Sequence, residues 1–342
     1  MRKSCWIIIA FILHYHVAPG QSFPVNRQAF FLDDSLMEVT LSTDIRKLRD
    51  DKTKLVWLPA NITMQFSDTS VVSEKIKVRP RGIYRKNYCD LAALMLDFKS
   101  DSSPKLSPLK KLKLVGGCRN GRGDEIFLLK EYLTYKIYNF ISPMSFRVRL
   151  LHVTYKDSKE KVKPYSQYAF LMEDIKDLSD RNNCIEIKNR KFGTEATNRR
   201  QINFVSIFQY MIGNTDWSVP GEHNIKLIAP KNDTLAAPFP VPYDFDYAGL
   251  VNTNYAVPDE QLDIKSVTER AYRGYGRNMA ELQMNLDIFQ EKKEQIIFYI
   301  KNFPQLSSKE KKEIIRYLEE FYEIINDKKS CKSIFIDNAR TN

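Results

Sequence analysis

Apolar and polar side chains alternate through much of the first half of this chain. Met37-Glu38-Val39-Thr40-Leu41 and Ile76-Lys77-Val78-Arg79 put every second side chain on one face, the period of a half-buried strand. The stretch 37–80 therefore reads as strands, broken by Arg81-Gly82. Ala93 to Phe98 and Leu112 to Val115 predict two more strands on either side of a Ser/Pro/Lys loop. Gly116 to Asp124 is a glycine-rich loop, and behind it Leu129, Leu133, Ile137 and Phe140 recur at helical spacing, predicting a helix over 126–140. Strands are predicted over 146–155 and 168–175. The period then changes. Residues 202–212 are apolar nearly all round, as in a buried helix. Residues 278–301 and 308–326 form long amphipathic patterns separated at Pro304, and Ser307 with Glu310 makes a capping box at the second start. No internal repeat is visible. The expected architecture is α+β in two lobes, a sheet-rich one over about 35–175 and a helical one over about 176–330, with a tail over 331–342.

The start of the chain changes this picture. Arg2 and Lys3 precede an unbroken apolar run from Cys5 to Leu13, too short for the roughly 20 residues of a membrane-spanning helix. Ala18-Pro19-Gly20 follows with small residues. Residues 1–20 thus read as a secretory signal peptide, with a mature chain from Gln21 exported to a periplasm or beyond; the alternative is a buried N-terminal helix. No later stretch approaches a span, so the mature chain is expected to carry no transmembrane anchor. The full chain is 43% hydrophobic, the composition of a folded domain rather than a disordered one. The formal charge of +11 is spread along the chain, densest from Lys105 to Lys113. A nucleic-acid partner is not expected; acidic substrates, nucleotides or an anionic envelope fit the charge as well. Cys89, Cys118, Cys184 and Cys331 remain after export and allow three pairings. Cys89 with Cys118 is favoured, because both flank neighbouring predicted strands. No CxxC or His/Cys cluster suggests zinc.

The stretch richest in candidate chemistry is Met211-Ile212-Gly213-Asn214-Thr215-Asp216-Trp217, followed by Glu222-His223-Asn224 and then Pro242-Tyr243-Asp244-Phe245-Asp246-Tyr247. An apolar helix ends at a glycine, a polar turn presents an Asp, and an Asn stands at the start of a strand. Phosphoryl transfer needs a carboxylate to orient or deprotonate the attacking hydroxyl, and hard oxygen ligands to hold Mg²⁺ against the phosphates. Asp216 suits the first role; Asn224 with Asp244 or Asp246 suits the second.

At these residues the chain resembles the atypical kinases of the spore-coat protein H (CotH) type, with HipA-like features in the catalytic loop. The resemblance covers roughly residues 75–250. It implies a two-lobed protein-kinase-like fold, Asp216 as the catalytic aspartate, Asn224 as a metal ligand, and Asp244 in place of the Asp of Asp-Phe-Gly. It also implies ATP and Mg²⁺ as cofactors and a Ser or Thr of an extracytoplasmic protein as acceptor. Lys130-Glu131-Tyr132-Leu133 resembles the helix carrying the kinase glutamate, Lys113 the phosphate-contacting lysine, and Phe170-Leu171-Met172-Glu173-Asp174-Ile175 the strand leading to the adenine hinge. The chain has no His-Arg-Asp and no Gly-x-Gly-x-x-Gly, and Trp217 directly follows Asp216.

Each assignment has a plainer alternative. Asp216 can close an Asx turn; Asp244 and Asp246 can be loop carboxylates; His223 reads as a structural hydrogen-bonding residue; Lys113 can be a surface lysine. The loop 116–124 lacks a P-loop ending and can be a simple connection. Arg79, Arg81, Arg85 and Lys86 either line a nucleotide cleft or decorate an exposed strand. At the level of the whole chain, Asp244-Phe245-Asp246 also fits the diphosphate clamp of a metal-dependent glycosyltransferase, and a non-catalytic envelope or interaction protein is the third reading.

Overall fold

The computed structural model describes residues 24–82, 89–91, 93–99, 105–118 and 122–341. The expected signal peptide, Arg85, Lys86 and the loop residues 119–121 lie outside these. The strands are β1 (Met37–Thr43), β2 (Leu58–Gln65), β3 (Val71–Pro80), β4 (Leu94–Asp97), β5 (Lys111–Gly116), β6 (Val148–Asp157) and β7 (Tyr165–Met172), then β8 (Cys184–Glu186), β9 (Ile225–Pro230) and β10 (Phe239–Pro242). The helices are α1 (Arg27–Phe30), α2 (Ile45–Asp50), α3 (Arg122–Ile141), α4 (Ile175–Arg181), α5 (Arg199–Met211), α6 (Met279–Lys301), α7 (Ser308–Asn326) and α8 (Lys328–Lys332). The alternating patterns form strands and the apolar stripes form helices, but the stretch 37–80, expected as strands, is interrupted by α2, whose start Asp44 caps by accepting from the Lys47 N–H. The expected strand over 168–175 stops at Met172, because the Asp174 side chain accepts from the Lys176 N–H and caps α4. The Ser307–Glu310 capping box is present, and Asn278 with Glu281 forms a second one at the start of α6.

The first seven strands close into a barrel in the order β1-β2-β3-β4-β5-β7-β6. Neighbours are antiparallel except at the seam, where β1 pairs in parallel with β6 from Met37 opposite Leu151 to Thr43 opposite Asp157. This overturns the expected two-lobed, kinase-like arrangement of a sheet lobe beside a helical lobe. The physical reason is that alternation reports which face a strand buries and says nothing about which edges meet. The seam joins segments such as Glu38 and His152, 114 residues apart. Closure satisfies the edge N–H and C=O groups that an open sheet leaves unpaired.

The strands β5, β6 and β7 bury both faces. Leu112, Leu114, Leu151, Val153, Ala169 and Leu171 point into the barrel, among Leu41, Ile62, Val78 and Leu96. Their neighbours Val115, Val148, Leu150, Phe170 and Met172 point outward, into a second and larger core built with α3, α5, α6 and α7. That outer core crosses residue 175 without interruption, from Val115 to Phe335. The second half also contains a three-stranded antiparallel sheet, β10-β9-β8. No helix among the described residues is long and apolar enough to cross a membrane.

Cys89 and Cys118 form the favoured disulfide, whereas Cys184 and Cys331 are buried free thiols. The bond ties the chain just before β4 to the chain just after β5, and the Asp90 N–H donates to the Cys118 carbonyl at 2.9 Å beside it. The closed segment spans a sequence separation of 29. Loop-closure entropy for that length is about 3–4 kcal/mol. Replacing both cysteines by serine is expected to lower the unfolding free energy by about that amount in reversible denaturant titration, with the native circular-dichroism spectrum retained.

Candidate functional site

Helix α5 is buried on almost every side from Ile202 to Met211 and ends at Gly213. The Gly213 N–H donates to the Tyr210 carbonyl at 3.1 Å, and its φ of +65° is the left-handed conformation that such an ending requires. The close approach has a second cause. The Gly249 N–H donates to the Gly213 carbonyl at 3.0 Å, and a Cβ on Gly213 would run into the Tyr317 hydroxyl of α7. The turn that follows is an Asx turn, but Asn214 makes it: its Oδ1 accepts the Asp216 N–H at 3.0 Å, while its Nδ2 donates to Gln209 Oε1. The plainer reading of Asp216 as the turn-closing residue is therefore not what its carboxylate does.

Both carboxylate oxygens of Asp216 are held. His223 Nε2 lies 2.7 Å from Oδ1, and Asn224 Nδ2 donates to Oδ2 and to the Asp216 carbonyl, each at 2.8 Å. A short loop brings these partners back. Ser218 and His223 pair as an antiparallel bridge, with N–H to carbonyl distances of 3.0 and 2.9 Å. Glu222 (φ +50°) and Asn224 (φ +52°) flank His223 in left-handed backbone. That region is costly for residues other than glycine and concentrates at functional sites.

The Asp244-Phe245-Asp246 segment is set by its middle residue. Phe245 is fully buried and packs on Tyr135 and Phe208, with ring centroids 4.7 and 5.6 Å apart. The flanking carboxylates are thereby turned away from the core. Asp244 has φ +64°, and its N–H donates to the Tyr135 hydroxyl at 2.8 Å. Asp246 accepts from the Tyr255 hydroxyl at 2.8 Å.

These pieces meet in one cleft of about 330 Å³, lined by Asp216, His223, Asn224, Asp244, Asp246 and Tyr247 from the second half of the chain and by Arg81 and Val115 from the barrel. The four residues expected from the loop sequences are thus brought together. Lys113 lies on β5 beside Met95, on the face that carries Val115, with its ammonium 5.3 Å from the Tyr243 ring. Burial lowers this ammonium to about 8, Arg81 and Lys226 push the same way, and Asp244 opposes them. Lys113 is therefore a half-buried cation facing Asp244, not a surface lysine. Glu131 is buried on α3 and opens onto a separate narrow recess with Gly117, Asp124 and Asp246. Glu173 is not brought into the cleft. Its carboxylate accepts from the Arg147 N–H and from Arg181 Nε, each at 3.0 Å, in a pair that is nearly buried on both sides. Arg79 stacks on the Trp57 ring at 4.9 Å.

Sequence reasoning passed over Tyr135 and Arg273, and gave Tyr247, at the end of the Asp-Phe-Asp stretch, no role. Arg273 donates to the Thr215 carbonyl and lies over the Trp217 ring at 5.9 Å, bracketing Asp216 from a loop far along the chain. Nothing in its own sequence context signals this. Among the described residues no group of three His, Cys, Asp or Glu side chains forms a cluster fit for a metal ion. No protein-family model matches the chain, and no curated protein or solved structure matches it.

Two outcomes follow from this geometry. The folded-state value of Lys113 lies below the usual 10.5, so its buried charge costs stability below about 8. That cost fades as pH rises from there toward the unfolded value. Lys113→Met is expected to melt higher than wild type at pH 7, and the difference should shrink in scans run up to pH 10. Gly213→Ala is expected to cost about 2 kcal/mol or more, from the left-handed φ and the clash together. Adding Tyr317→Phe should restore part of that loss in urea titrations, since it removes the hydroxyl that the new Cβ meets.

Proposed function

We propose that this chain is an exported phosphotransferase, moving the terminal phosphoryl group of ATP onto a Ser or Thr hydroxyl of an extracytoplasmic protein with Mg²⁺ bound. The observation that carries this reading is the convergence of Asp216, Asn224, Asp244 and Asp246 in one cleft beside Lys113 and Arg81. Export is supported by the signal-like start and by the Cys89–Cys118 disulfide, which belongs to oxidising compartments. The closed barrel gives no support to a kinase fold, so the reading rests on the cleft itself.

In this reading Asn224, Asp244 and Asp246 would hold the magnesium ion through two carboxylates and an amide. Asn224 turns its Nδ2 toward Asp216, so the end of the amide left to face a cation is Oδ1. With Asp244 and Asp246 it would offer hard oxygens, and since no group of three acidic or His/Cys side chains among the described residues is fit for a metal, phosphate oxygens and water would fill the remaining positions. A bound ion there would neutralise charge on the transferring phosphates. Arg81 in the cleft lining, with Lys113 close enough to feel its charge and that of Asp244, would supply positive charge to the phosphate tail. His223 and Asn224 fix the Asp216 carboxylate in one orientation. The acceptor hydroxyl gives its proton to Asp216 while its oxygen forms a bond to the terminal phosphorus. The bond from phosphorus to the bridging oxygen breaks, and its electron pair leaves with the nucleoside diphosphate. A sugar-transfer reading employs Asp244 and Asp246 and leaves the Asp216–His223–Asn224 network without a task.

Thermal-shift titration tests the reading. ATP with Mg²⁺ at a hundred times its dissociation constant is expected to add about 2.7 kcal/mol of stability. Asp244→Asn should abolish the metal-dependent part of the shift. A shift with UDP-sugar and Mn²⁺ in place of ATP would transfer the assignment to glycosyl transfer, and no shift with any nucleotide would remove the enzymatic reading.

A further inference from the structure

Beyond Asp216 lies a second cavity of about 340 Å³. Asp216, His223 and Tyr247 line both cavities and so form the partition between them. The first cavity is lined by Asn224, Asp244, Asp246 and Arg81; the second has none of these. Its far side is made by Trp217, Val257, Pro258, Asp259 and Arg273. We propose that this second cavity is the acceptor site and that it takes a hydroxyl-bearing peptide segment with a cationic side chain near the hydroxyl. The proposal rests on reading Asp216 as the residue that receives the acceptor's proton.

Three observations point to that occupant. A carboxylate shared by two cavities can take a proton from a group in one while the phosphorus is held in the other. The walls suit a peptide. Val257 is 66% exposed beside Pro258, offering an apolar rest for a side chain. Trp217 lines the same wall and is nearly buried. The charge selects a cation. Asp259 touches Arg273 only at 3.7 Å, and it is the more exposed member of the pair. Arg273 keeps the Thr215 carbonyl and the Trp217 ring if Asp259 turns away. A lysine or arginine entering the cavity can therefore take Asp259 as its partner without unpairing Arg273.

The test is fluorescence anisotropy on the full chain with labelled serine peptides carrying Arg, Glu or neutral residues around the serine. Wild type is expected to bind the Arg peptide about tenfold more tightly than the Glu peptide, Asp259→Asn to lose most of that preference, and Asp259→Lys to reverse it. Melting curves show whether each variant is folded. Absence of a charge preference in wild type, or its persistence in both folded Asp259 variants, would overturn the proposal. The nucleotide-induced thermal shift is read in parallel. A shift without peptide preference sinks the acceptor site alone, and a peptide preference without any shift sinks the phosphoryl-transfer reading and the acceptor role with it, leaving a peptide-binding cavity.

Discussion

Strands β5, β6 and β7 must bury both faces, because the barrel closes over one and α3 lies on the other, and most of the molecule's order descends from this constraint. Leu114 and Leu171 are committed to the barrel interior, and Val115 and Phe170 to the outer core. A one-residue slip in any of these strands would exchange the two sets and empty both cores at once. The register is therefore fixed twice over. It also decides where Lys113 can be: between Leu112 and Leu114 it has no choice but the outer face, the one that carries Val115 into the cleft.

The cleft follows the same logic on a smaller scale. Fully buried side chains hold the polar ones in conformations they would not adopt alone. Phe245 in the core turns Asp244 and Asp246 outward, and the Tyr135 hydroxyl receives the N–H of a residue in left-handed backbone. Asn224 is in the same unfavourable region and is held there by two hydrogen bonds to Asp216. Strain of this kind persists only where the surroundings over-determine it. The carboxylates are thus fixed before any ligand arrives, which is what charge stabilisation in a reaction requires.

Much of this was legible in the chain itself. Alternation located the strands, the Ser307–Glu310 pair located the start of α7, and flanking strands suggested the Cys89–Cys118 bond. The Asn-Thr-Asp, His-Asn and Asp-Phe-Asp stretches did come together, since each lies at the end of a strongly patterned element. What was not legible depends on distant partners. The β1–β6 seam leaves no trace in either strand's own pattern, and without it the two-lobed expectation was the natural one. Arg273 looks like any exposed arginine until the loop that carries it folds over Thr215. Glu173 has the composition of a cleft residue, yet Arg181, eight positions later, claims it.

The contact of Gly213 with Tyr317 bears on how far the cleft can be regarded as portable. Asp216, Asp244 and Asp246 of the first cavity, and the barrel beneath it, lie before residue 250. The turn that presents Asp216 is nonetheless propped by a hydroxyl from α7, and Arg270 fastens the same helix to the Met211 carbonyl at the end of α5. A fragment ending at residue 250 would hold the whole set of candidate reactive groups and lack the scaffold that gives them their spacing. The smallest transferable unit here is set by the prop rather than by the chemistry, and it extends at least to the end of α7.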